Sequence, residues 1–164
     1  MLRKPFPTVV TMLCFVLTGL LSVQEAHAQS KDYESILNRI KLPDGFKISV
    51  YAPNVTNARS LAMTPDGKTI FVGNRSRRNV YALTDTDGDM VIDKRDTIAT
   101  GLTMPNGVVF KDGDLYVAEV STIHRFPDIM NNLDNPKSEV IYDDYPTDRH
   151  HGWKFIAFGP AGKL

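Results

Sequence analysis

Leu61-Ala62-Met63-Thr64-Pro65-Asp66-Gly67-Lys68-Thr69-Ile70-Phe71-Val72-Gly73 is the stretch that decides the fold class. It is an apolar run, an Asp-Gly turn and a second apolar run. Glycine adopts the positive φ that tight turns need, and strand alternation on either side completes a hairpin signal. The same arrangement returns at Val108-Val109-Phe110-Lys111-Asp112-Gly113-Asp114-Leu115-Tyr116-Val117-Ala118 and begins again at Ile156-Ala157-Phe158-Gly159-Pro160-Ala161-Gly162. The turn glycines Gly67, Gly113 and Gly162 stand 46 and 49 residues apart. A hairpin recurring every ~40–50 residues has the period of a β-propeller blade. Each of the first two units continues into a third predicted strand, Asn79–Leu83 and Thr122–Phe126.

The expectation is therefore an all-β chain carrying about two and a half propeller blades across residues 42–164. The third unit stops at Leu164 in mid-repeat. A propeller needs about four blades or more to close, so the sequence reads as the N-terminal part of a longer protein. Upstream of the first unit, Leu42-Pro43-Asp44-Gly45 has turn composition, and Phe46–Ala52 alternates as a strand does. Residues 29–41 are polar, with Tyr33, Leu37 and Ile40 spaced like a short helix face, and read as an N-terminal extension.

The first 28 residues read as a secretory signal. Arg3 and Lys4 precede the apolar run Thr8–Val23, and Ala26-His27-Ala28 offers small residues at the two positions a signal peptidase inspects. Cleavage after Ala28 would send the chain to the periplasm or outside the cell, with no membrane span left. Cys14, the one cysteine, lies within that signal, so no disulfide supports the mature fold. With 19 basic and 19 acidic residues the charge balances, which gives no reason to expect nucleic acid or an anionic membrane as partner.

Two segments carry candidate chemistry. Between the first and second units, Asp85, Asp87, Asp89, Asp93 and Asp96 fall at positions one, three, five, nine and twelve of a loop, with Val91 at seven. Calcium takes six to eight hard oxygens, and carboxylates at alternate loop positions with a backbone carbonyl at seven can wrap one ion. The pattern resembles EF-hand and dockerin loops, but Met90 stands where glycine normally permits the bend at position six. The second segment is Asp148-Arg149-His150-His151-Gly152-Trp153. Imidazole can take a proton near neutral pH, so His151 is the candidate general base and His150 its runner-up or orienting neighbour. Trp153 either faces a sugar or serves the core, and its strand-start position favours the core. Arg75, Arg77 and Arg78 read as a solvated loop, of the kind that in a propeller can line the central cleft.

Taken together, Leu42–Phe46, Thr84–Asp89, Leu102–Val108, Leu115–Val120 and Asp148–Phe155 resemble the pyrroloquinoline-quinone (PQQ)-dependent soluble aldose/sorbosone dehydrogenases. That resemblance implies a six-bladed propeller holding the quinone above its central channel, with calcium beside the cofactor. It also implies a histidine eight positions before a Gly-Pro glycine as general base; counted from Gly159, that is His151. The implied reaction oxidises a sugar or sugar aldehyde, passing hydride to the quinone and then electrons to an acceptor the sequence does not specify. The family's quinone-clamping lysine and arginines and its cofactor calcium ligands lie downstream of the base, beyond Leu164, so this polypeptide alone is expected to be inactive. A calcium-dependent lactonase-type propeller, suggested by Pro105-Asn106-Gly107, and a non-enzymatic binding propeller are the alternatives.

Overall fold

The computed structural model describes residues 33–164; the signal sequence predicted for residues 1–28 lies outside them. Two units are distinguished, one ending at Val50 and one running from Tyr51 to Leu164. In the first, residues 33–37 make a single helical turn, and Phe46 N–H donates to the Pro43 carbonyl (3.2 Å) to close the Leu-Pro-Asp-Gly turn. No described helix is long and apolar enough to cross a membrane.

The second unit is all-β. Strands β1 (Ala58–Met63), β2 (Thr69–Asn74), β3 (Val80–Thr84) and β4 (Lys94–Ala99) form one antiparallel sheet in sequence order. Strands β5 (Gly107–Lys111), β6 (Asp114–Ala118), β7 (Ile123–Phe126) and β8 (Glu139–Tyr142) form a second sheet with the same order. The all-β expectation holds at this level; the two sheets do not make a closed ring.

Both expected hairpins are present, closed by different turns. Asp112 (φ 51°) and Gly113 (φ 91°) alone connect β5 to β6, with Lys111 opposite Asp114. Two consecutive positive φ values are the type I′ geometry whose twist matches the strands it joins. The β1–β2 connection is longer. Thr64 and Thr69 face each other across it, and Thr64 Oγ1 donates to Asp66 Oδ1 (2.6 Å) while accepting from Thr69 N–H (3.1 Å).

Three expectations need correction. Phe46–Ala52 is not a strand: it joins no described sheet, and Phe46 is 69% exposed. Alternation alone does not make a strand where no neighbour takes up the backbone hydrogen bonds. The third repeat forms its turn, with Gly159 N–H donating to the Lys163 carbonyl (2.8 Å), but residues 152–164 contain no strand on either side of it. Lastly, each sheet has a fourth strand, β4 and β8, that the repeat pattern did not announce. β4 includes Asp96, which pairs opposite Ala82 and meets Lys94 Nζ at 3.1 Å. Asp96 is thus a strand residue, apart from the grouped carboxylates of Asp85, Asp87 and Asp89.

The core lies between the sheets. Phe71, Val80, Ala82 and Ile98 of the first meet Val108, Leu115, Val117 and Phe126 of the second, with Ile129 closing one end. Phe71 and Phe110 stack at 5.7 Å, 15° from parallel. Burying side chains of this size contributes roughly 1.5–3 kcal/mol each, which suits a chain whose described residues contain no cysteine.

Glycines permit the close approach between successive repeats of the second unit. A Cβ on Gly73 would lie 2.4 Å from the Asn106 carbonyl oxygen, and one on Gly107 would lie 2.6 Å from that of Lys154. Both obstacles are backbone and cannot swing aside. Gly107→Ala is therefore expected to cost about 1–3 kcal/mol, as overpacking does, and to lower the thermal midpoint by several degrees. Lys137→Ala, on an exposed loop, should leave it unchanged. Equal midpoints in differential scanning calorimetry would contradict the packing described.

Candidate functional site

The inner ends of the three repeats meet around Asn106. Arg59 is the extra residue of a β-bulge in β1, where the register slips between Ala58 and Ser60. A bulge re-aims side chains, and Arg59 Nε donates to Asn106 Oδ1 at 3.2 Å. Asn106 is fully buried and its Nδ2 donates to the Lys154 carbonyl at 3.0 Å. One side-chain amide thus links a residue of each repeat. Arg59 also lies over the Trp153 ring, 5.8 Å from its centroid.

The histidine segment is a tight turn. Gly152 N–H donates to the Arg149 carbonyl (3.3 Å), which leaves His150 and His151 as the two central residues. Gly152 has no substitute, because a Cβ there would fall 1.9 Å from the Asp148 carbonyl oxygen. His151 has φ 57°, a left-handed conformation costing a β-carbon-bearing residue roughly 1–2 kcal/mol. Asn57 (φ 62°) and Met104 (φ 54°) take the same conformation, each 47 residues from the next in the series Asn57, Met104, His151. His151 is therefore the third copy of a kink that introduces each repeat. Its ring packs edge-on to His150 (4.3 Å) and tilted against Trp153 (5.3 Å).

Trp153 is a partner for cations rather than a core filler. Arg75 lies directly over its ring at 4.1 Å. That contact revises the reading of Arg75-Ser76-Arg77-Arg78 as a plain solvated loop. Arg75, Arg78 and Arg149, with Ser76, Thr103 and Met104, line an open cleft of about 460 Å³. Arg78 is fixed there by donating to the carbonyls of Leu102 (3.1 Å) and Gly101 (2.5 Å).

Glu119, just after β6, braces Thr103 of the cleft lining. Its carboxylate accepts from the Thr103 backbone N–H and pairs with His124 Nε2 at 2.6 Å. Burial pushes the Glu119 carboxyl upward, but the hydrogen bonds from His124 and Thr103 outweigh it and hold the group below the ordinary glutamate range.

The acidic loop lies elsewhere in the second unit. Carboxylate oxygens of Asp85, Asp87 and Asp89 lie within 4.8 Å of one another. Ligands on opposite sides of a calcium ion stand about 4.8 Å apart, so these three could hold such a cation. Asp93 and Asp96 are outside the group: Asp93 Oδ2 accepts from Thr86 N–H (2.7 Å), and Asp96 is on β4. Val91, the candidate seventh-position ligand, donates its N–H to Asp89 Oδ1 (2.8 Å). Asp85 is buried and accepts from Gly88 N–H (2.7 Å) and Met90 N–H (3.0 Å). Met90 makes the bend that glycine would make, at φ 69°.

No family model matches the chain. An uncharacterized protein of Borreliella burgdorferi (strain B31) is 28% identical over 126 residues, covering 76% of this chain and 29% of that protein. The chain thus spans less than a third of the relative's length.

Two outcomes follow from this geometry. Met90→Gly removes the left-handed strain, so the midpoint of thermal unfolding should rise by the equivalent of about 1 kcal/mol, less the entropy glycine adds to the unfolded chain; an unchanged or lower midpoint would mean the bend is unstrained. Glu119, with its folded pKa below its unfolded value, contributes stability that is complete above about pH 4–5 and is lost as pH falls through the folded pKa. Urea unfolding between pH 3 and 7 should therefore show a shallower acid decline in Glu119→Gln than in the parent protein.

Proposed function

We propose that the two sheets are consecutive blades of a β-propeller, and that the chain belongs to a quinone-dependent dehydrogenase of sugars or sugar aldehydes, with His151 as the general base. The observation that carries this reading is the strained turn at His151. A histidine kept in a left-handed conformation, in a series whose other members are Asn57 and Met104, stands on a turn held tight by Gly152. Strained backbone concentrates where function requires a particular geometry.

In this reading His151 faces solvent, so a sugar hydroxyl can reach the imidazole, which takes its proton while His150 and Trp153 limit the ring's rotation. Bound PQQ would supply the hydride acceptor. Its carboxylates suit the donor set of the arginine cleft, since guanidinium groups bind carboxylates through paired N–H donors. Calcium suits Asp85, Asp87 and Asp89, where it would stiffen the loop between β3 and β4 rather than touch the reacting atoms. Export to the periplasm or beyond the cell belongs to the same proposal.

The lactonase alternative would use Asn106 as a metal ligand. That is disfavoured, because the Asn106 oxygen is buried and accepts from Arg59. A propeller that only binds partners accounts equally for a kink repeated at Asn57, Met104 and His151, and differs in giving the His151 imidazole no reaction to serve.

The test is His151→Asn in the intact gene product reconstituted with PQQ and calcium. Asparagine tolerates the left-handed conformation, so the variant should melt no lower than the parent. Dye-linked sugar oxidation should fall about a hundredfold or more in kcat, the usual contribution of a positioned general base. Oxidation at the parental rate would remove His151 from this role.

A further inference from the structure

We infer that the cleft bounded by Arg75, Arg78 and Arg149 is a binding site for a small carboxylate ligand. Arginines from two distant stretches of chain, 75–78 and 149, converge on one open cavity of about 460 Å³. Among the described residues no carboxylate pairs with any of the three; the ion pairs of arginine are those of Arg125 with Asp114 and Glu139. Gathering like charges without a counter-charge is unfavourable, and a bound anion reverses the sign of that effect. The arrangement is also held in place rather than floating. Arg78 is fastened to the carbonyls of Gly101 and Leu102, and Arg75 is held over the Trp153 ring, 4.1 Å from its centroid.

The chemistry favours a carboxylate over a bare spherical charge, because a planar guanidinium matches the two oxygens of a carboxylate. Ser76 and Thr103 in the same lining add hydroxyl groups that would suit a polyhydroxylated body behind that carboxylate. Two ligands share this chemistry: a sugar acid, and the carboxylated quinone itself. The quinone arm rests on the dehydrogenase reading above, whereas affinity for a sugar acid rests on the cleft alone and stands whether or not His151 is the base.

Calorimetric titration of the intact gene product with D-glucuronate, D-glucose, PQQ and sulfate distinguishes the outcomes. Saturable binding of glucuronate but not glucose marks the cleft as a substrate site for acidic sugars. Binding of PQQ alone marks it as a cofactor site. In either case Arg149→Gln, on an exposed turn, and Arg75→Lys, which keeps the charge but loses the paired donors, should each weaken binding about tenfold. The inference is overturned if neither carboxylate binds, if glucose or sulfate binds as tightly as the carboxylates, or if both variants bind like the parent.

Discussion

The structure of the second unit depends on how closely successive repeats can approach at their inner ends, and the fully buried amide of Asn106 sets that approach. It accepts from Arg59 of the first repeat and donates to the Lys154 carbonyl of the third. Loss of that amide would leave the part-buried Lys154 carbonyl without this donor, at a cost of about 0.5–1.5 kcal/mol. The amide can reach both neighbours only because Gly73 and Gly107 present no side chain to the incoming backbone. The clasp also brings Trp153 under Arg75, so one packing constraint places both the arginine cleft and the histidine turn. Fold and candidate site share a cause.

What was legible in the sequence was the local part. Asp112-Gly113 and Pro65-Asp66-Gly67 announced their hairpins because turn type depends on a few adjacent φ values. β3 and β7 were legible from their apolar cores. β4 and β8 were not, since β4 opens on the charged Lys94-Arg95-Asp96 and has one buried apolar residue, Ile98, while Glu139–Tyr142 is wholly exposed. The same blindness placed Asp96 in the acidic loop. A carboxylate at the right count from Asp85 looks like a ligand until pairing with β3 fixes it on a strand.

The candidate site was legible as a list of residue types and illegible as an assembly. His150 and His151 stood out by composition, yet the contact of Arg75 with Trp153 spans nearly half the chain and has no local signature. One signal was available: Asn57, Met104 and His151 recur at 47 residues, and asparagine is a residue that favours left-handed backbone. Aligning the repeats on Asn57 rather than on the turn glycines would have placed His151 at a kink before any coordinates. The acidic loop shows the reverse. The structure brings the carboxylates of Asp85, Asp87 and Asp89 near one another, and the Met90 departure at position six is where the backbone turns.

Trp153 is the one tryptophan in the chain, so its fluorescence reports the convergence of the repeats directly. The decisive measurement is quenching of that emission by acrylamide, which is uncharged and so is not drawn to the arginines, in the folded protein and in Arg75→Ala. The account predicts a ring partly shielded in the parent, with a quenching constant well below that of the urea-unfolded chain and a clear increase in the variant. Quenching as strong in the folded parent as in the unfolded chain, and indifferent to Arg75, would contradict it.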